Sequence, residues 1–400
     1  MRAKPINIDD NQNSFFYARN MNVQLSSSHS IETPYRALSN SELSAKAKIP
    51  SEIALLSEIS GIHNDLYVND VEKLITDNEA VAAKIRNLEN YRQRMQHSSM
   101  VFALLQPCKT ARQQVLINDK LREKFLEIII RMQYLANFDF ICVPWVGFTS
   151  IESTIKQFQK IENSCDKELI FFLDLESDPP FLEQISNSLT EMIDNDKIHS
   201  IGLVHHPVET TLVSHVDLWN IFKEKNAAII VANVERYDEN FDALSSIHLN
   251  EFILGDIFLP RVNHPFGESK ETKEKKTKRI KAKPTIKEKL RFFNHDSLTV
   301  SPIGNDKSDS WINSVTSILS DSRIKEAIYN YPEAELDKEK FNVISAISKV
   351  YEQIASSKEL ESSKKFINSG ESKEYLDNKP ILTHALKKSV GALKQRKKFF

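Results

Sequence analysis

Carboxylate, imidazole and amide side chains stand near the ends of six apolar runs in this sequence. Asp174 and Glu176 close one run, and His205 with His206 closes the next. Paired acids can act as general acid, base or nucleophile, and an imidazole can move protons near neutral pH. The residues predicted to form a site are Gln106, Trp145, Asp174, Glu176, His205, His206, Asn233, Glu235 and Asp256.

Asp174 and Glu176 are the strongest candidates for acid–base or nucleophilic work. Side chains alternate along a strand, so the two acids share one face while Leu173 and Leu175 take the other. An unpaired carboxylate inside an apolar run is costly to bury, and a buried ion pair or a helix cap is the alternative reading. We predict Asp174, Glu176 and Asp256 as the catalytic acids.

The adjacent histidines predict a binding role more than a metal centre. Neighbouring strand residues face opposite ways, so only His205 or His206 can reach a common site. A metal site would need one of them to converge with Asp174 and Asp256. We therefore predict no cofactor, with a divalent metal as the alternative, and assign His205 and His206 to substrate binding.

The remaining candidates are predicted to line the rim of the same site. Asn233 and Glu235 repeat the two-residue spacing on the next run, while Trp145 and Gln106 end two earlier runs. An aromatic surface beside groups that donate or accept hydrogen bonds suits a planar heterocycle or a sugar.

The elements that must position these residues alternate regularly. The six apolar runs read as strands separated by helical patterns, which predicts a parallel α/β sheet. Two weaker strands, near Val23–Leu25 and Asp65–Val68, bring the number to eight. Eight strands favour a (β/α)8 TIM-like barrel with an α-helical C-terminal extension over an open doubly wound sheet. The six runs are Met100–Gln106, Phe138–Trp145, Leu169–Glu176, Ser200–His206, Ala227–Glu235 and Phe252–Phe258.

The pattern predicts four regions along the chain. A disordered tail covers residues 1–14, and the barrel covers residues 15–265, with Phe15–Leu38 giving a first strand or a hairpin at the barrel bottom. A basic linker or extended helix follows at 266–291. Residues 292–400 are predicted to be mostly helical.

Composition excludes several classes of protein. Only 8 of 400 residues are glycine, and no GxGxxG, GxxxxGK[ST] or GxSxG motif is present, which argues against dehydrogenases, kinases and NTPases. The 3 cysteines have no CxxC spacing, which argues against disulfide frameworks and cysteine-rich zinc sites. With no secretory signal and no long apolar run, we expect a cytoplasmic protein without a membrane partner.

Basic charge is unevenly distributed along the sequence, although the formal net charge of the chain is only −2. Glu268–Arg291 carries nine lysines and two arginines against four glutamates, a net charge of +7. Such asymmetry predicts a polyanionic partner, namely nucleic acid, with a solvated linker as the alternative. The predicted phosphate-binding residues are Lys275, Lys276, Lys278, Arg279 and Lys281.

Two short segments resemble motifs of the tRNA-guanine transglycosylase superfamily, including its DNA-modifying 7-deazaguanine relatives. Glu32–Pro34 is similar to the family's threonine–proline entry into the barrel. Leu254–Phe258, followed by Pro260 and Arg261, is similar to its Gly-x-Asp-x-Phe-Asp segment. The resemblance implies a barrel that exchanges a base on tRNA or DNA through a carboxylate nucleophile.

The chain departs from that family at decisive positions. Leu259 stands where the family has its nucleophilic Asp, and the Asp-Ser-Gly motif, glycine-rich loop and cysteine-rich zinc site are missing. We therefore predict glycosidic-bond cleavage or base exchange with Asp174 as the replacement nucleophile. The alternatives are a metal-dependent hydrolase in the same barrel and a non-catalytic barrel that binds nucleic acid or protein.

Overall fold

The computed structural model describes residues 1–11, 16–47, 57–175, 177, 179–204, 214, 217–234, 255–260, 291–294, 299–302, 313 and 338–379. In chain order, the strands are β1 (Arg2–Asn11), β2 (Phe16–Gln24), β3 (Ser30–Glu32), β4 (Tyr35–Arg36), β5 (Leu38–Ser39), β6 (Ile59–Leu66), β7 (Met100–Pro107), β8 (Phe140–Val143), β9 (Glu168–Asp174), β10 (Ser200–Val204), β11 (Ala228–Val234), β12 (Ile257–Pro260), β13 (Arg291–Asn294) and β14 (Thr299–Pro302). The helices are α1 (Asn40–Lys46), α2 (Val68–Thr76), α3 (Asn78–Arg94), α4 (Lys109–Gln114), α5 (Asp119–Leu135), α6 (Ile151–Ser164), α7 (Pro179–Asp194), α8 (Lys338–Ser369) and α9 (Ser372–Asp377).

Nine of the strands in the described part of the chain form one parallel sheet whose two edges come together. Its order is β4-β12-β11-β10-β9-β8-β7-β6-β5. The outermost strands, β4 and β5, are consecutive in the chain and separated only by Ala37. Ala37 donates its backbone N–H to Phe258 O of β12 at 2.8 Å, while β5 pairs with β6. The two edges therefore meet, and the predicted (β/α)8 TIM-like barrel is confirmed.

Alternation along the strands separates two cores. Even-numbered residues of β7 and β9, such as Phe102 and Phe172, fill the lumen together with Cys142 and Leu259. Odd-numbered neighbours face the surrounding helices and belong to the outer core. This period of two, buried on both faces, explains why the strands read as continuous apolar runs.

Helix boundaries follow local capping signals. Asn118 caps α5 by accepting a hydrogen bond from Leu121 N at 3.0 Å, and Ser150 caps α6 by accepting from Ser153 N at 3.1 Å. The segment Asn69–Met95 holds two helices and not one. The backbone turns extended at Asp77, whose side chain caps α3, so α2 and α3 are separate helices.

The N-terminal segment closes the amino end of the barrel as a three-stranded antiparallel sheet, β1-β2-β3. Its buried side chains Met21, Val23 and Ile31 belong to the same core cluster as the lumen. The expectation of disorder in residues 1–14 is wrong for Arg2–Asn11, which pairs with β2 along its length; residues 12–14 lie outside the described part. The weak strand near Val23–Leu25 is therefore part of this sheet, and β4–β5 provides the first barrel strand.

The C-terminal helix α8 packs on the barrel itself. It contacts α1, β4 and the N-terminal sheet, and its buried Val350, Tyr351 and Ile354 join the outer core. In a barrel this position, outside the junction of the last and first strands, belongs to the helix that follows the last strand. Helix α8 is therefore part of the barrel, and the described residues after β12 also include the antiparallel pair β13–β14.

Candidate functional site

A cleft of about 310 Å³ lies at the carboxyl end of β7, β8 and β9. This end of a parallel barrel carries the loops that bind ligands. Cations, one carboxylate and an indole line the cleft together. The lining residues are Lys109, Arg112, Gln113, Ile117, Arg122, Trp145, Val146, Gly147, Asp174 and Ser177.

Asp174, the last residue of β9, is held by an ion pair with Arg112. Arg112 Nη1 lies 2.6 Å from Asp174 Oδ2, and the two side chains are 15% and 5% exposed. Arg112 belongs to α4, the short helix directly after β7, so the pair joins two neighbouring βα loops. A carboxylate at the sequence-predicted position thus stands in the cleft with a cation against it.

Gln106 positions Trp145 within the cleft. The Gln106 amide donates to Trp145 O at 2.8 Å and accepts from Trp145 N at 3.2 Å. These bonds continue the β7–β8 pairing beyond the last residue of β8. Gln106, predicted to bind substrate, therefore contacts the backbone of Trp145, while the Trp145 indole lines the cleft and meets Phe181 edge-on at 5.8 Å.

A second ion pair fixes the other wall of the cleft. Arg122 Nη1 donates to Asp119 Oδ1 at 2.7 Å, and the Thr149 hydroxyl donates to Asp119 Oδ2 at 2.6 Å. Burial alone would raise the pKa of Asp119, but the hydrogen bonds from Thr149 and Arg122 outweigh it and lower this pKa to about 2. Asp119 is therefore an anion that ties α5 to the loop after β8.

Asp256 lies at the opposite end of the barrel, which corrects its prediction as a catalytic residue beside Asp174. The strand expected over Phe252–Phe258 is Ile257–Pro260 instead, so Asp256 precedes β12. Its backbone N–H donates to Ile229 O at 2.9 Å, near the start of β11. Because the strands are parallel, Asp256 is at their amino end and Asp174 at their carboxyl end.

Arg19 of β2 surrounds Asp256 with hydrogen bonds. Its Nε and Nη2 donate to Asp256 Oδ1 and Oδ2 at 3.0 and 2.6 Å. The remaining donors reach Phe222 O, Lys223 O and Ala227 O at 2.7–2.8 Å. Both side chains have no exposed surface, so the pair fastens the N-terminal sheet to the barrel.

The described residues of the segment that resembles the transglycosylase motif, Gly255–Pro260, are packed in the interior. A Cβ on Gly255 would lie 2.6 Å from Val231 Cγ2, so this glycine permits close packing of two strands. Leu259 is fully buried in the lumen core. The missing side chain of Gly255 therefore gives room to Val231 and Phe258 rather than to a ligand.

Several predicted site residues lie outside the described part of the chain. For Asn233 the structure describes the backbone, as part of β11, and not the side chain. Their predicted roles stay predictions. Those outside are Glu176, His205, His206, Glu235, Lys275, Lys276, Lys278, Arg279 and Lys281.

Sequence reasoning missed the cations of the cleft. Lys109 and Arg112 follow β7 immediately, and Arg122 stands near the start of α5. The available signal was their position directly after a predicted strand, where βα loops begin. Sequence reasoning also missed His63 of β6. Its side chain is on the lumen face of the strand together with Asp65, and His63 Nε2 lies 3.6 Å from Asp65 Oδ1.

Within the residues that the structure describes, no group of three or more His, Cys, Asp and Glu side chains is arranged to hold a metal ion. The described helices include none that is both long and apolar enough to span a bilayer. Comparisons with known proteins found no family model that matches the chain and no matching curated protein.

Proposed function

We propose that this barrel acts on nucleic acid or on a nucleoside-like substrate at the cleft of β7–β9. The observation that carries the proposal is the composition of the cleft, in which Lys109, Arg112 and Arg122 line the same space as Asp174 and Trp145. Cations suit phosphate oxygens, and an indole offers a face on which a base can stack. The carboxylate supplies the reactive group.

The size of the cleft supports one nucleotide unit as its occupant. Its volume of about 310 Å³ is at the lower end of the range for small-molecule sites, roughly 300–1,000 Å³. A duplex does not fit such a cleft, whereas a single extruded or unpaired nucleotide does. A polymeric substrate would therefore present one nucleotide out of its stack, as base-modifying enzymes require.

Asp174 is the residue proposed to carry the chemistry. Cleavage or exchange at a glycosidic bond passes through an oxocarbenium-like centre that a carboxylate can attack or stabilise. A second acid would protonate the leaving base, and Glu176, two residues further along the chain, is proposed for this role. Asp256 is excluded from it by its place at the amino end of the barrel.

The basic segment is proposed to hold the flanking phosphates. Pro260 is the last residue of β12, so the chain leaves the barrel at the same end as the cleft. The predicted phosphate-binding residues follow within the next stretch of sequence. This connectivity supports a nucleic-acid partner, tRNA or DNA.

A second candidate function, a non-catalytic nucleic-acid-binding barrel, is favoured by one observation. The Asp174 carboxylate is 2.6 Å from Arg112 Nη1, and an ion-paired carboxylate is a weaker nucleophile than an unpaired one. The metal-dependent hydrolase is a third reading, which metal analysis and chelation test directly.

The experiment measures binding first and chemistry second. Fluorescence anisotropy with labelled tRNA, single-stranded DNA and duplex DNA across a salt series should show affinity that falls as salt rises. Release of free base is then followed by chromatography with wild type and Asp174→Asn. Base release that is lost in Asp174→Asn supports the enzyme, while binding without release supports the non-catalytic barrel.

A charge-matched control separates binding by the basic segment from a general effect of the protein's charge. Neutralising Lys275, Lys276, Lys278, Arg279 and Lys281 to glutamine should weaken binding and flatten its salt dependence, because fewer phosphates are neutralised. Five scattered exposed lysines changed to glutamine should have a much smaller effect. Equal loss in both variants, or no binding by wild type, would contradict the proposal. The control lysines are Lys73, Lys156, Lys160, Lys358 and Lys365.

A further inference from the structure

The cleft contains an arginine whose present partner is a carboxylate from its own chain. We propose, building on the function above, that a phosphate group of the ligand competes with Asp174 for Arg112. Binding of the phosphate then releases the Asp174 carboxylate toward the rest of the ligand. The cleft would thus recognise a nucleotide rather than a nucleoside.

The geometry of the pair supports an exchangeable contact. The closest contact between Arg112 and Asp174 joins Nη1 to Oδ2, and this nitrogen makes no well-aligned hydrogen bond among the described residues. A phosphate presents three acceptor oxygens and can engage a guanidinium through two parallel bonds. The arginine therefore has more to gain from a phosphate than it has from Asp174.

Neighbouring cations favour the same anion. Lys109 and Arg122 line the cleft with Arg112, and Arg122 Nε is a second buried nitrogen without a hydrogen-bond partner in the described part of the chain. Arg122 also keeps its Nη1 bond to Asp119, which holds its guanidinium beside the cleft, and the buried Nε would meet an anion after a small shift of the side chain. A phosphate between the arginines would satisfy nitrogens that the protein alone leaves unsatisfied.

If Asp174 competes with phosphate for Arg112, the direction in which the phosphate affinity must change is fixed. Asp174 is always present beside Arg112 at a high effective concentration, so it weakens the binding of any free anion. Removing its charge while keeping its shape should strengthen phosphate binding. A merely structural ion pair gives the opposite expectation, because Asp174→Asn would then loosen the cleft.

The experiment is calorimetric titration of the full chain with inorganic phosphate, a nucleoside and the matching nucleoside 5′-monophosphate. Asp174→Asn should bind phosphate and the monophosphate about tenfold more tightly than wild type, the effect of removing one competing charge-assisted contact. Arg112→Gln should bind phosphate and the monophosphate about tenfold more weakly than wild type. When Asp174→Asn is combined with Arg112→Gln, it should not raise the affinity for phosphate above that of Arg112→Gln alone. The nucleoside should respond to neither change.

The matched control is the exposed pair Arg92–Asp139, whose 2.9 Å contact lies outside the cleft. Asp139→Asn removes one negative charge from the protein, so it reports any general effect of charge and should leave phosphate affinity unchanged. If Asp174→Asn fails to fold, Asp174→Ala and a structure of wild type with phosphate replace it. In that structure Arg112 should contact phosphate and no longer contact Asp174.

The outcomes separate this inference from the proposed function. Unchanged or weaker phosphate binding by folded Asp174→Asn overturns the competition, even where nucleic acid binds. Tighter phosphate binding together with no affinity for any nucleic acid would retain the competition and reject the proposed partner.

Discussion

Each end of this barrel holds an arginine–aspartate pair with a closest contact of 2.6 Å, but the two pairs differ in burial and in their other contacts. At the amino end, Arg19 and Asp256 are fully buried, and the guanidinium donates to both carboxylate oxygens and to three backbone carbonyls. At the carboxyl end, Arg112 and Asp174 retain some exposure, and their closest contact joins Nη1 to Oδ2.

The difference shows how the surroundings of an ion pair decide its role. Arg19 has its donors used and no room for a ligand, so its exchange for another partner would leave a buried charge uncompensated. Arg112 lines a cleft, and solvent or a ligand can replace Asp174 at modest cost. The first pair is therefore assigned to folding, and the second to ligand binding.

The largest expected effect comes from breaking the buried pair. Asp256→Asn and Arg19→Gln should each destabilise the protein by about 3–5 kcal/mol, because the remaining partner stays buried without its counter-ion. Asp174→Asn at the other end should cost less, about 1–3 kcal/mol, since Arg112 lines the cleft and keeps 15% exposure. Urea-induced unfolding followed by circular dichroism measures both.

Equal destabilisation at the two ends would contradict the assignment of one pair to folding and the other to ligand binding. The variant Asp139→Asn, from an exposed surface pair, gives the baseline for losing a carboxylate charge. A midpoint for Asp256→Asn close to that baseline would mean that the N-terminal sheet is held by its apolar contacts alone.

The barrel could be predicted from the sequence, because its strands are short and buried on both faces. Met100–Pro107 and Asp119–Leu135 match the apolar run and the helical period that predicted them. The first barrel strand was not predictable in the same way. Tyr35–Arg36 and Leu38–Ser39 are too short to show any period, and only their pairing with β12 and β6 identifies them.

The site was harder to predict for a related reason. Asp174 and Asp256 both stand in apolar surroundings, and the sequence contains no signal that distinguishes the start of a strand from its end. A shift of the last strand by a few residues therefore moved Asp256 to the opposite end of the barrel. Its partner Arg19 is 237 residues away in the chain, a contact that local patterns cannot reveal.

A smaller loss of stability is expected from a substitution in the barrel wall between the two ends. A Cβ on Gly202 of β10 would lie 2.4 Å from Cδ1 of Phe172, its register partner on β9. Gly202→Ala should therefore destabilise by about 1–3 kcal/mol through overpacking of the lumen. Thermal unfolding gives the change, and phosphate titration shows whether strain in the wall reaches the cleft.

Two further variants sharpen that test. Phe172→Leu combined with Gly202→Ala should recover part of the loss, since the overlap with the ring is removed. Gly370→Asn is the control, because its position has φ +72° and open space around an added Cβ, a conformation that asparagine tolerates. Additive losses in the double variant would show that the Phe172 ring is not the obstacle.

The smallest expected effect is a difference in pH dependence between the two ends. At the amino end, the hydrogen bond to Glu168 raises the pKa of His199 above its usual 6.5, and Asp196 contacts the other ring nitrogen at 3.0 Å. This contribution to stability is fully present below pH 6.5 and is lost as the pH rises through the raised pKa. At the carboxyl end, the pKa of Asp119 is lowered from 3.8 to about 2, so its contribution is present above pH 3.8 and is lost as the pH falls toward 2.

His199→Gln and Asp119→Asn should each remove one of these two dependences and leave the other. The melting temperature of His199→Gln should approach that of wild type as the pH rises from 6 to 9, because wild type then loses the protonated imidazole. The melting temperature of Asp119→Asn should approach that of wild type only in acid, between about pH 4 and 2. If both variants differ from wild type by a constant amount across pH, neither group titrates with folding, and the two ends are distinguished by their arginine pairs alone.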